Sequence, residues 1–371
     1  MKTNGKAFVM FGASASEPDI QYATGFLAPD PMAVWRRPDG AVFLLVSGME
    51  YGRAMRQARD CTVVSMDSLG LGRYRMSPLS LQLAAALRVQ GIREIETPPG
   101  FPLVAFERLR AFGIKAKTAQ ISPFSAARQV KSPAELAAIR ASQKAARAAE
   151  RALGAAICAC EADRSGILML GGKPFTSERA RALVRAQLLM RGAMDFEGSI
   201  VAGGAQAADP HEQGSGPLRS GELIVADIFP RSLDSGYWGD MTRTFYHGRL
   251  SRERRQILRT VAEAQKLGLG MVRPGVTGSE VHAAVARFIA GKLRPNWRDP
   301  DDESRVFGFM HGLGHGVGLE IHEEPRLSPT GREPLCPGMV VTVEPGFYDP
   351  VFGGARIEDT VVVTETGCEI L

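Results

Sequence analysis

The chain has 371 residues, of which 44% are hydrophobic and 23% charged, and its formal net charge is +5. One hydrophobic core rarely serves so long a chain, so we expect an ordinary soluble protein of two domains. Lysine and arginine are spread along the sequence without a run of five or more, and apolar stretches fall short of the roughly eighteen residues that a membrane span needs. The composition therefore predicts neither a nucleic-acid partner nor a membrane segment.

The cysteine content indicates a reducing compartment. Five cysteines, an odd number, are scattered along the chain, and no CxxC pair is present. The N-terminal residues 1–5 lack the long apolar segment that is typical of an export signal. We therefore expect reduced thiols and a cytoplasmic protein.

Residues 1–125 are predicted to form a smaller N-terminal α/β domain. Short apolar runs bounded by Gly, Pro or Asp are typical of buried strands and occur at 7–11, 41–46 and 61–64. The spacing of Leu and Ala over 79–89 predicts a helix that Gly91 ends. This part of the chain has no histidine and its acidic residues are dispersed, so we expect a scaffold or a lid.

Residues 126–371 carry the signals of an α+β domain. Ser132 can cap a helix, Pro133 suits its first turn, and Glu135 completes a capping box. Further helices are predicted at 176–191, 252–271 and 279–292, and strands at 223–229, 240–246, 339–344 and 356–363. The first two of these strands are predicted to pair as a hairpin. This order of elements predicts a curved antiparallel sheet covered by helices.

A glycine-spaced histidine stretch spans residues 311–325. Glycine at alternate positions from 312 to 318 disfavours a helix by about 1 kcal/mol per residue, so we expect an extended or bulged segment. His315 and His322 would face opposite sides of a regular strand, and a bulge or turn is needed if both serve one site. The glycines would then leave room for a peptide and metal ions. The alternative is a glycine-rich loop with unrelated histidines.

Acidic residues lie inside or at the ends of otherwise apolar strands, at Asp227, Asp240, Glu344 and Glu358. Buried carboxylates cannot partner one another without cations, because like charges repel. Salt bridges are one solution, but only Arg243 and Arg356 lie in the same segments. Carboxylates with a single imidazole suit Mn²⁺, Co²⁺, Fe²⁺ or Zn²⁺. So many carboxylates predict two ions, about 3.5 Å apart.

The motifs that carry these residues resemble those of the pita-bread metallopeptidases, and within them the Xaa-Pro peptidases, prolidase and aminopeptidase P. The motifs are Leu223 to Asp227, Gly239 to Thr244, His311 to His315, Val343 to Gly346 and Arg356 to Thr360. The ligand types Asp, Asp, His, Glu and Glu occur in the family's order. The N-terminal domain is similar in kind to that of the creatinase and prolidase group.

The resemblance implies a role for each residue. Asp227 would hold one metal ion, Asp240 and Glu358 would bridge both ions, and His315 and Glu344 would complete the second. Glu344 would also pass a proton to the leaving nitrogen. Further catalytic or substrate-side positions implied in the same way are His211, His311, His322 and Arg356.

The function implied is a dinuclear metal-dependent hydrolase that cleaves the Xaa-Pro bond of dipeptides or short peptides. Mn²⁺ is the most expected metal, and a homodimer is expected by resemblance. Other interpretations left open are a creatinase-like hydrolase of C–N bonds, a small-molecule lyase of the same fold, and a non-catalytic peptide-binding module.

The sequence departs from the family's pattern around the first ligand. Relatives have Asp-Phe-Gly or Asp-Ile-Gly there, whereas this chain has the segment Asp227 to Arg231, with Phe229 and Pro230 after the Ile. The hairpin between the two aspartates also looks longer than usual, which could reshape the substrate pocket. Aromatic candidates for a proline pocket are Tyr237, Trp238 and Phe347.

Overall fold

A computed structural model describes residues 6–300, 302 and 305–371. The chain divides into two compact units, Met1–Arg128 and Gln129–Leu371. The division thus falls slightly after residue 125, where the sequence placed it. The prediction that the chain lacks an export signal concerns residues 1–5, which lie outside the described residues.

The first unit is built on a mixed sheet, which in the described residues has six strands in the order β4-β3-β2-β1-β5-β6. The strands are β1 (Ala7–Ala13), β2 (Pro31–Arg36), β3 (Val42–Leu45), β4 (Thr62–Val64), β5 (Glu94–Thr97) and β6 (Lys115–Thr118). The helices are α1 (Pro18–Thr24), α2 (Gly48–Gln57), α3 (Leu79–Val89), α4 (Leu103–Ala111) and α5 (Pro123–Arg128). Strands β1–β2 and β2–β3 pair antiparallel, and β3–β4, β1–β5 and β5–β6 pair parallel. The predicted strands and the helix over 79–89 are confirmed.

The second unit contains four long helices among its described residues. They are α6 (Pro133–Cys158), α7 (Ser177–Leu189), α8 (Arg252–Met271) and α9 (Gly278–Lys292). The capping box that the sequence predicts at the start of α6 is present, because Ser132 Oγ accepts from the amide of Glu135 at 3.3 Å and the Glu135 carboxylate accepts from the amide of Ser132 at 2.8 Å. Across the part of the chain that the structure describes, no helix combines the length and apolarity needed to cross a membrane.

The strands of the second unit form several small sheets. They are β7 (Glu161–Ala162), β8 (Leu168–Leu170), β9 (Lys173–Pro174), β10 (Ala193–Met194), β11 (Ile200–Gly203), β12 (Leu223–Ile228), β13 (Arg231–Ser232), β14 (Met241–Tyr246), β15 (Trp297–Arg298), β16 (Val306–Phe307), β17 (Gly314–Gly316), β18 (Glu323–Leu327), β19 (Val340–Val343), β20 (Gly346–Asp349), β21 (Gly353–Arg356), β22 (Asp359–Val363) and β23 (Cys368–Ile370). Two antiparallel sheets matter most, β11-β12-β14 and β18-β17-β19-β22-β23. The predicted hairpin is confirmed by the antiparallel pairing of β12 with β14.

Helices α6 and α7 pack on one face of the sheet β11-β12-β14. Their buried residues share a core with Ile224, Ala226 and Ile228 of β12. Successive side chains of a strand point to opposite faces. Asp227 therefore points away from this core.

Helices α8 and α9 pack in the same way on the five-stranded sheet. Their core includes Val341 and Val343 of β19. The alternation of a strand then places Thr342 and the following Glu344 on the opposite face. Each sheet thus buries one apolar face under a helix pair, and the opposite face carries Asp227 in one sheet and Thr342 with Glu344 in the other.

The continuous strand predicted over 356–363 is wrong. Strand β21 ends at Arg356 and pairs with β20, whereas β22 starts at Asp359 and pairs with β19. The chain leaves one sheet for the other at Glu358, whose amide donates to the carbonyl of Thr242 on β14 at 3.0 Å. Arg356 and Glu358 therefore do not lie on one face of a single strand.

Candidate active site

One cavity of about 430 Å³ collects the predicted site residues. All nine of them line it: His211, Asp227, Asp240, His311, His315, His322, Glu344, Arg356 and Glu358. The prediction that these residues share a site is consistent with this arrangement. The wall also includes Glu197 and Arg326, which the sequence did not single out.

The glycine-rich stretch adopts the bulged, extended form that its composition predicts. His315 lies in β17, where the pairing with β18 shifts register between Gly314 and Gly316. We expected these glycines to leave room for a peptide and metal ions, but Gly314 and Gly316 instead leave room for neighbouring backbone. A Cβ at Gly314 would overlap the carbonyl oxygen of Thr342, and one at Gly316 would overlap that of Glu324.

Hydrogen bonds fix the imidazole of His315. Its amide donates to Thr342 Oγ1 at 3.1 Å, and its Nδ1 lies 3.1 Å from the carbonyl oxygen of Gly316. Because Nδ1 donates to that carbonyl, Nε2 is directed at the carboxylates, 3.3 Å from Glu344 Oε1 and 3.6 Å from Asp240 Oδ2. A metal ion held between Nε2 and these two carboxylate oxygens would offset the repulsion between the carboxylates.

The side chains of Asp240, His315 and Glu358 are buried, and their ligand atoms lie within 4.8 Å of one another. Among the described residues, this group has the spacing that a metal site requires. Burial, and then the charges of neighbouring carboxylates, raise the pKa of Asp240 and the pKa of Glu358 well above their usual values. Burial also raises the pKa of Glu344, but the hydrogen bond and charge of His315 outweigh it and lower this pKa to about 2. Divalent ions would reduce the repulsion between carboxylates that helps to raise the pKa values of Asp240 and Glu358.

Two buried oxygens support the same conclusion. Asp227 Oδ1 and Glu358 Oε1 have no hydrogen-bond partner in the structure. The opposite oxygen of each carboxylate is occupied, since Asp227 Oδ2 accepts from Arg356 at 2.8 Å and Glu358 Oε2 accepts from Thr242 Oγ1 at 2.7 Å. Unpartnered carboxylate oxygens beside an imidazole are suitable ligands for a divalent metal. The donor set therefore fits the metal ions that the sequence predicts.

Arg356 links the carboxylate of Asp227 to the cavity wall. Besides Asp227, its guanidinium donates to Thr242 Oγ1 at 3.2 Å and to Tyr348 Oη at 2.7 Å. The side chain is buried, and although burial opposes its charge, Tyr348, Asp227 and Glu344 raise the pKa of Arg356 well above its usual value. Arg356 therefore carries a permanent positive charge.

Tyr348 is a residue that sequence reasoning missed. Its hydroxyl lies 3.0 Å from Nε2 of His311, whose Nδ1 lies 2.7 Å from the carbonyl oxygen of Gly312. Since Nδ1 donates to that carbonyl, Nε2 accepts the proton of Tyr348, which in turn accepts from Arg356. Burial raises the pKa of Tyr348 to about 12, so the hydroxyl keeps its proton. The available signal was a tyrosine four residues after Glu344, in the short strand Gly346–Asp349.

The other histidines lie at the open side of the site. His322 is exposed and its ring lies edge-on to that of His315, with centroids 4.3 Å apart. Partial burial of the imidazole, and then the charge of His315, lower the pKa of His322 to about 4. His211 is also exposed, and its amide donates to Asp209 Oδ1 at 2.9 Å. His282, in contrast, stacks on Phe309 at 5.4 Å as a packing residue.

The aromatic candidates for a proline pocket are wrong. Trp238 and Phe347 are buried in core clusters, and Tyr237 donates its hydroxyl to Glu135 at 2.9 Å. None of the three lines the cavity, where Phe229 lies instead. Phe229 belongs to the segment in which the sequence departs from its relatives.

Comparison with known proteins adds independent information. Residues 140–365 match the sequence profile described as metallopeptidase family M24. The chain is 39% identical over 174 residues to the Xaa-Pro dipeptidase of Pyrococcus furiosus, covering 47% of this chain and 46% of that protein. Its structure is similar to that of the prolidase from Pyrococcus furiosus, with a TM-score of 0.78 and 25% identity over 98% of this chain and 95% of the other.

The structure is also similar to that of the X-Pro aminopeptidase from Thermotoga maritima. The TM-score is 0.78 at 26% identity, over 98% of this chain and 94% of the other. The chain spans about half the length of the curated relatives that it matches, whereas the structural similarity extends over nearly the whole of both chains.

Proposed function

Because the chain belongs to metallopeptidase family M24 and has the pita-bread fold of the prolidases, we propose that it is a dinuclear metal-dependent hydrolase that cleaves the Xaa-Pro bond of dipeptides or short peptides. The observation that carries the proposal is the convergence on one cavity of an imidazole and four carboxylates, two of them with unpartnered buried oxygens. These groups lie in or beside strands of two sheets, and the strands of one sheet are distant in the sequence from those of the other.

The metal-binding residues in this proposal are Asp227, Asp240, His315, Glu344 and Glu358. Two divalent ions would supply Lewis acidity, which activates water and polarises the scissile carbonyl. Glu344 is ionised at neutral pH, because its pKa is lowered to about 2. As the candidate proton shuttle, it would accept a proton from the attacking water and deliver it to the proline nitrogen, which leaves as a secondary amine.

The remaining residues of the cavity bind and orient the substrate. His322 is uncharged at neutral pH, since its pKa is lowered to about 4, and it can donate one hydrogen bond to the peptide carbonyl oxygen. His211 lies on the same open side, while His311 is held in one tautomer by Tyr348. Arg326 is the cavity-lining cation suited to the substrate carboxylate, and its nearest acidic contact is Glu324 at 3.8 Å.

The proposal is tested with a panel of dipeptides and longer peptides that contain an Xaa-Pro bond. The protein is loaded with Mn²⁺ or Co²⁺, and cleavage is followed by mass spectrometry. We expect cleavage at Xaa-Pro and not at matched Xaa-Ala bonds. Dipeptides as the preferred length would indicate a dipeptidase, and longer peptides an aminopeptidase.

The same panel addresses the other interpretations. If all peptides stay intact while a small C–N substrate turns over, a creatinase-like or lyase function is supported instead. Saturable binding of Xaa-Pro peptides without cleavage, in protein that contains metal, would indicate a binding module. Turnover of the peptides excludes both.

We also propose Mn²⁺ as the resident metal, a homodimeric state and a cytoplasmic location. Carboxylate-rich ligand sets suit Mn²⁺, and the cysteines are free thiols, as is typical of a reducing compartment. Metal analysis of protein purified without added metal, light scattering in solution, and cell fractionation test the three points separately.

A further inference from the structure

A buried ion pair lies beneath the loop that carries His322. The ammonium group of Lys131 forms a hydrogen-bonded salt bridge with the carboxylate of Glu323, and the two side chains are only 1% and 5% exposed. Neither residue lines the active-site cavity. Desolvating two charges this completely is costly, so a buried pair is weak evidence for stability and raises the question of what it specifies.

Lys131 is presented by a fixed backbone. Its amide donates to the carbonyl oxygen of Gly338 at 2.9 Å, and the next residue, Ser132, is the N-cap of helix α6. The neighbouring Val130 forms a β-bridge with Met339. The start of α6 is thus joined to the strand segment that leads into β19. The backbone that carries the Lys131 side chain is therefore held in place.

Glu323 contacts both ends of the loop formed by residues 318–322. At the far end it directly follows His322, and it pairs in register with Gly316 as the first residue of β18. At the near end its carboxylate packs against Gly318, where an added Cβ would lie 2.5 Å from Glu323 Oε1. Any shift of the Glu323 side chain therefore acts on the whole loop.

A second anchor holds the loop from the opposite side. The amide of Trp238 donates to the carbonyl oxygen of Gly318 at 2.8 Å, and its indole Nε1 donates to that of Leu319 at 3.2 Å. The residues that follow, Ile321 and His322, line the cavity. The backbone is therefore fixed at Gly318 and Leu319 by Trp238, and at His322 by Glu323.

We propose that Lys131 is a positioning residue for His322: by holding Glu323, it fixes the place of the imidazole in the cavity. The consequence for turnover rests on the proposed peptidase function, in which His322 contacts the substrate. A misplacement of about 1 Å can cost on the order of 100-fold in rate. The buried pair then contributes geometry to the site rather than net stability.

The test combines Lys131→Met with His322→Ala and measures kcat, KM and metal content with an Xaa-Pro dipeptide. Met fills nearly the same volume as Lys but removes the ammonium group. We expect kcat to fall by about 10- to 100-fold in the otherwise native enzyme, with unchanged metal content. In the His322→Ala background the further loss should be less than about twofold, because the residue that Lys131 positions is already gone. Equal losses in both backgrounds, or none in the native enzyme, would overturn the proposal.

Two control variants separate positioning from general effects. Lys144→Met makes the same chemical change at an exposed position of helix α6, and it should leave kcat unchanged. Leu153→Ala opens a cavity in the core beside the same helix, so it should lower the melting temperature without lowering kcat at temperatures where the protein is folded. If Lys131→Met does not fold, Glu323→Gln, which keeps the volume and removes the charge, takes its place in the same comparison.

Hydrogen exchange gives a readout that does not depend on activity. In Lys131→Met we expect faster exchange at the amides of residues 318–322, while β19 and β22 stay protected. Unchanged exchange in the loop, or faster exchange throughout the second unit, would contradict positioning. If the native enzyme cleaves no Xaa-Pro peptide, the proposed function fails, and this measurement still decides whether Lys131 orders the loop.

Discussion

The guanidinium of Arg356 lies 2.8 Å from Oδ2 of Asp227, and the two side chains are only 4% and 14% exposed. The carboxylate of Asp227 is therefore paired with a permanently charged guanidinium. Burial still raises the pKa of Asp227 above its usual value, although the Arg356 charge opposes that shift. Asp227 is left with a single free oxygen, Oδ1, to offer to a metal.

Replacing Arg356 by Met should destabilise the metal-free protein by about 3–5 kcal/mol, because Asp227 is left as an uncompensated buried charge. Arg356→Lys should restore little, since an ammonium group cannot reach Asp227, Thr242 and Tyr348 with the same planar fork. Urea unfolding in the presence of EDTA measures both effects. A loss below about 1 kcal/mol for Met, as for an exposed salt bridge, would contradict the structure.

Asp240→Asn should abolish metal binding, because Asp240 belongs to the buried ligand cluster with His315 and Glu358. The control is Asp234→Asn, which removes an exposed carboxylate from the same hairpin. Elemental analysis should find close to two ions per chain in the native protein and in the control. Saturating metal at about 1,000 times its Kd should stabilise these two by about 4 kcal/mol per bound ion, and Asp240→Asn by far less. Equal metal content in all three proteins would contradict the assignment.

The contribution of Asp240 and Glu358 to the stability of the metal-free protein should fall as pH rises above about 4, whereas the lowered pKa of His322 acts in the opposite direction up to about pH 6.5. Burial and neighbouring carboxylates raise the pKa of Asp240 and the pKa of Glu358 in the folded state, so the unfolded chain releases these protons at lower pH than the folded chain. Metal binding requires ionised ligands and should therefore strengthen over the same interval.

Melting temperatures at pH 5 and pH 8 test this, with EDTA and with Mn²⁺. The increment due to metal should be larger at pH 8. In EDTA, Asp240→Asn should show a weaker loss of stability with rising pH than the native protein. A metal increment that is independent of pH would show that these carboxylates do not titrate as the structure indicates.

Tyr348→Phe should lower kcat by about tenfold or more while the fold is retained, because the ring stays buried but Arg356 and His311 lose their shared hydroxyl. The cost in stability should be about 1–3 kcal/mol, as for a buried donor that loses its partner. Tyr246→Phe is the matched control, since Tyr246 is 49% exposed. Steady-state kinetics with an Xaa-Pro dipeptide measure the effect, and equal kcat in both variants would exclude a role for the hydroxyl.

Arg326→Gln should raise KM for a dipeptide with a free carboxylate by about 10- to 100-fold, the equivalent of about 1.5–3 kcal/mol for a charged hydrogen bond. The corresponding dipeptide amide should bind equally to the native enzyme and to the variant, because it has no carboxylate to lose. Arg332→Gln serves as the control at an exposed position. If the acid and the amide respond alike, Arg326 does not bind the carboxylate.

Local patterns carried the parts of the fold that were predicted correctly. The capping box at Ser132 and Glu135 and the helical spacing over 252–271 appear as predicted, because helices are stabilised by contacts three and four residues apart. The acidic residues in or beside apolar strands predicted the candidate site, since a buried carboxylate without a counter-charge is costly, and they do line one cavity.

The sequence by itself predicted which residues would share one cavity, because the chemical types of its carboxylates and histidines do not depend on packing. Only the tertiary structure decided how they are held. Three features could not be read from the sequence: the break between β21 and β22 at Glu358, the hydroxyl of Tyr348 between Arg356 and His311, and the pairing of Lys131 with Glu323. Each depends on contacts between segments that are distant in the sequence and share no periodic pattern. Such contacts depend on which surfaces meet when the helix pairs cover their sheets, and periodicity along the chain carries no information about that.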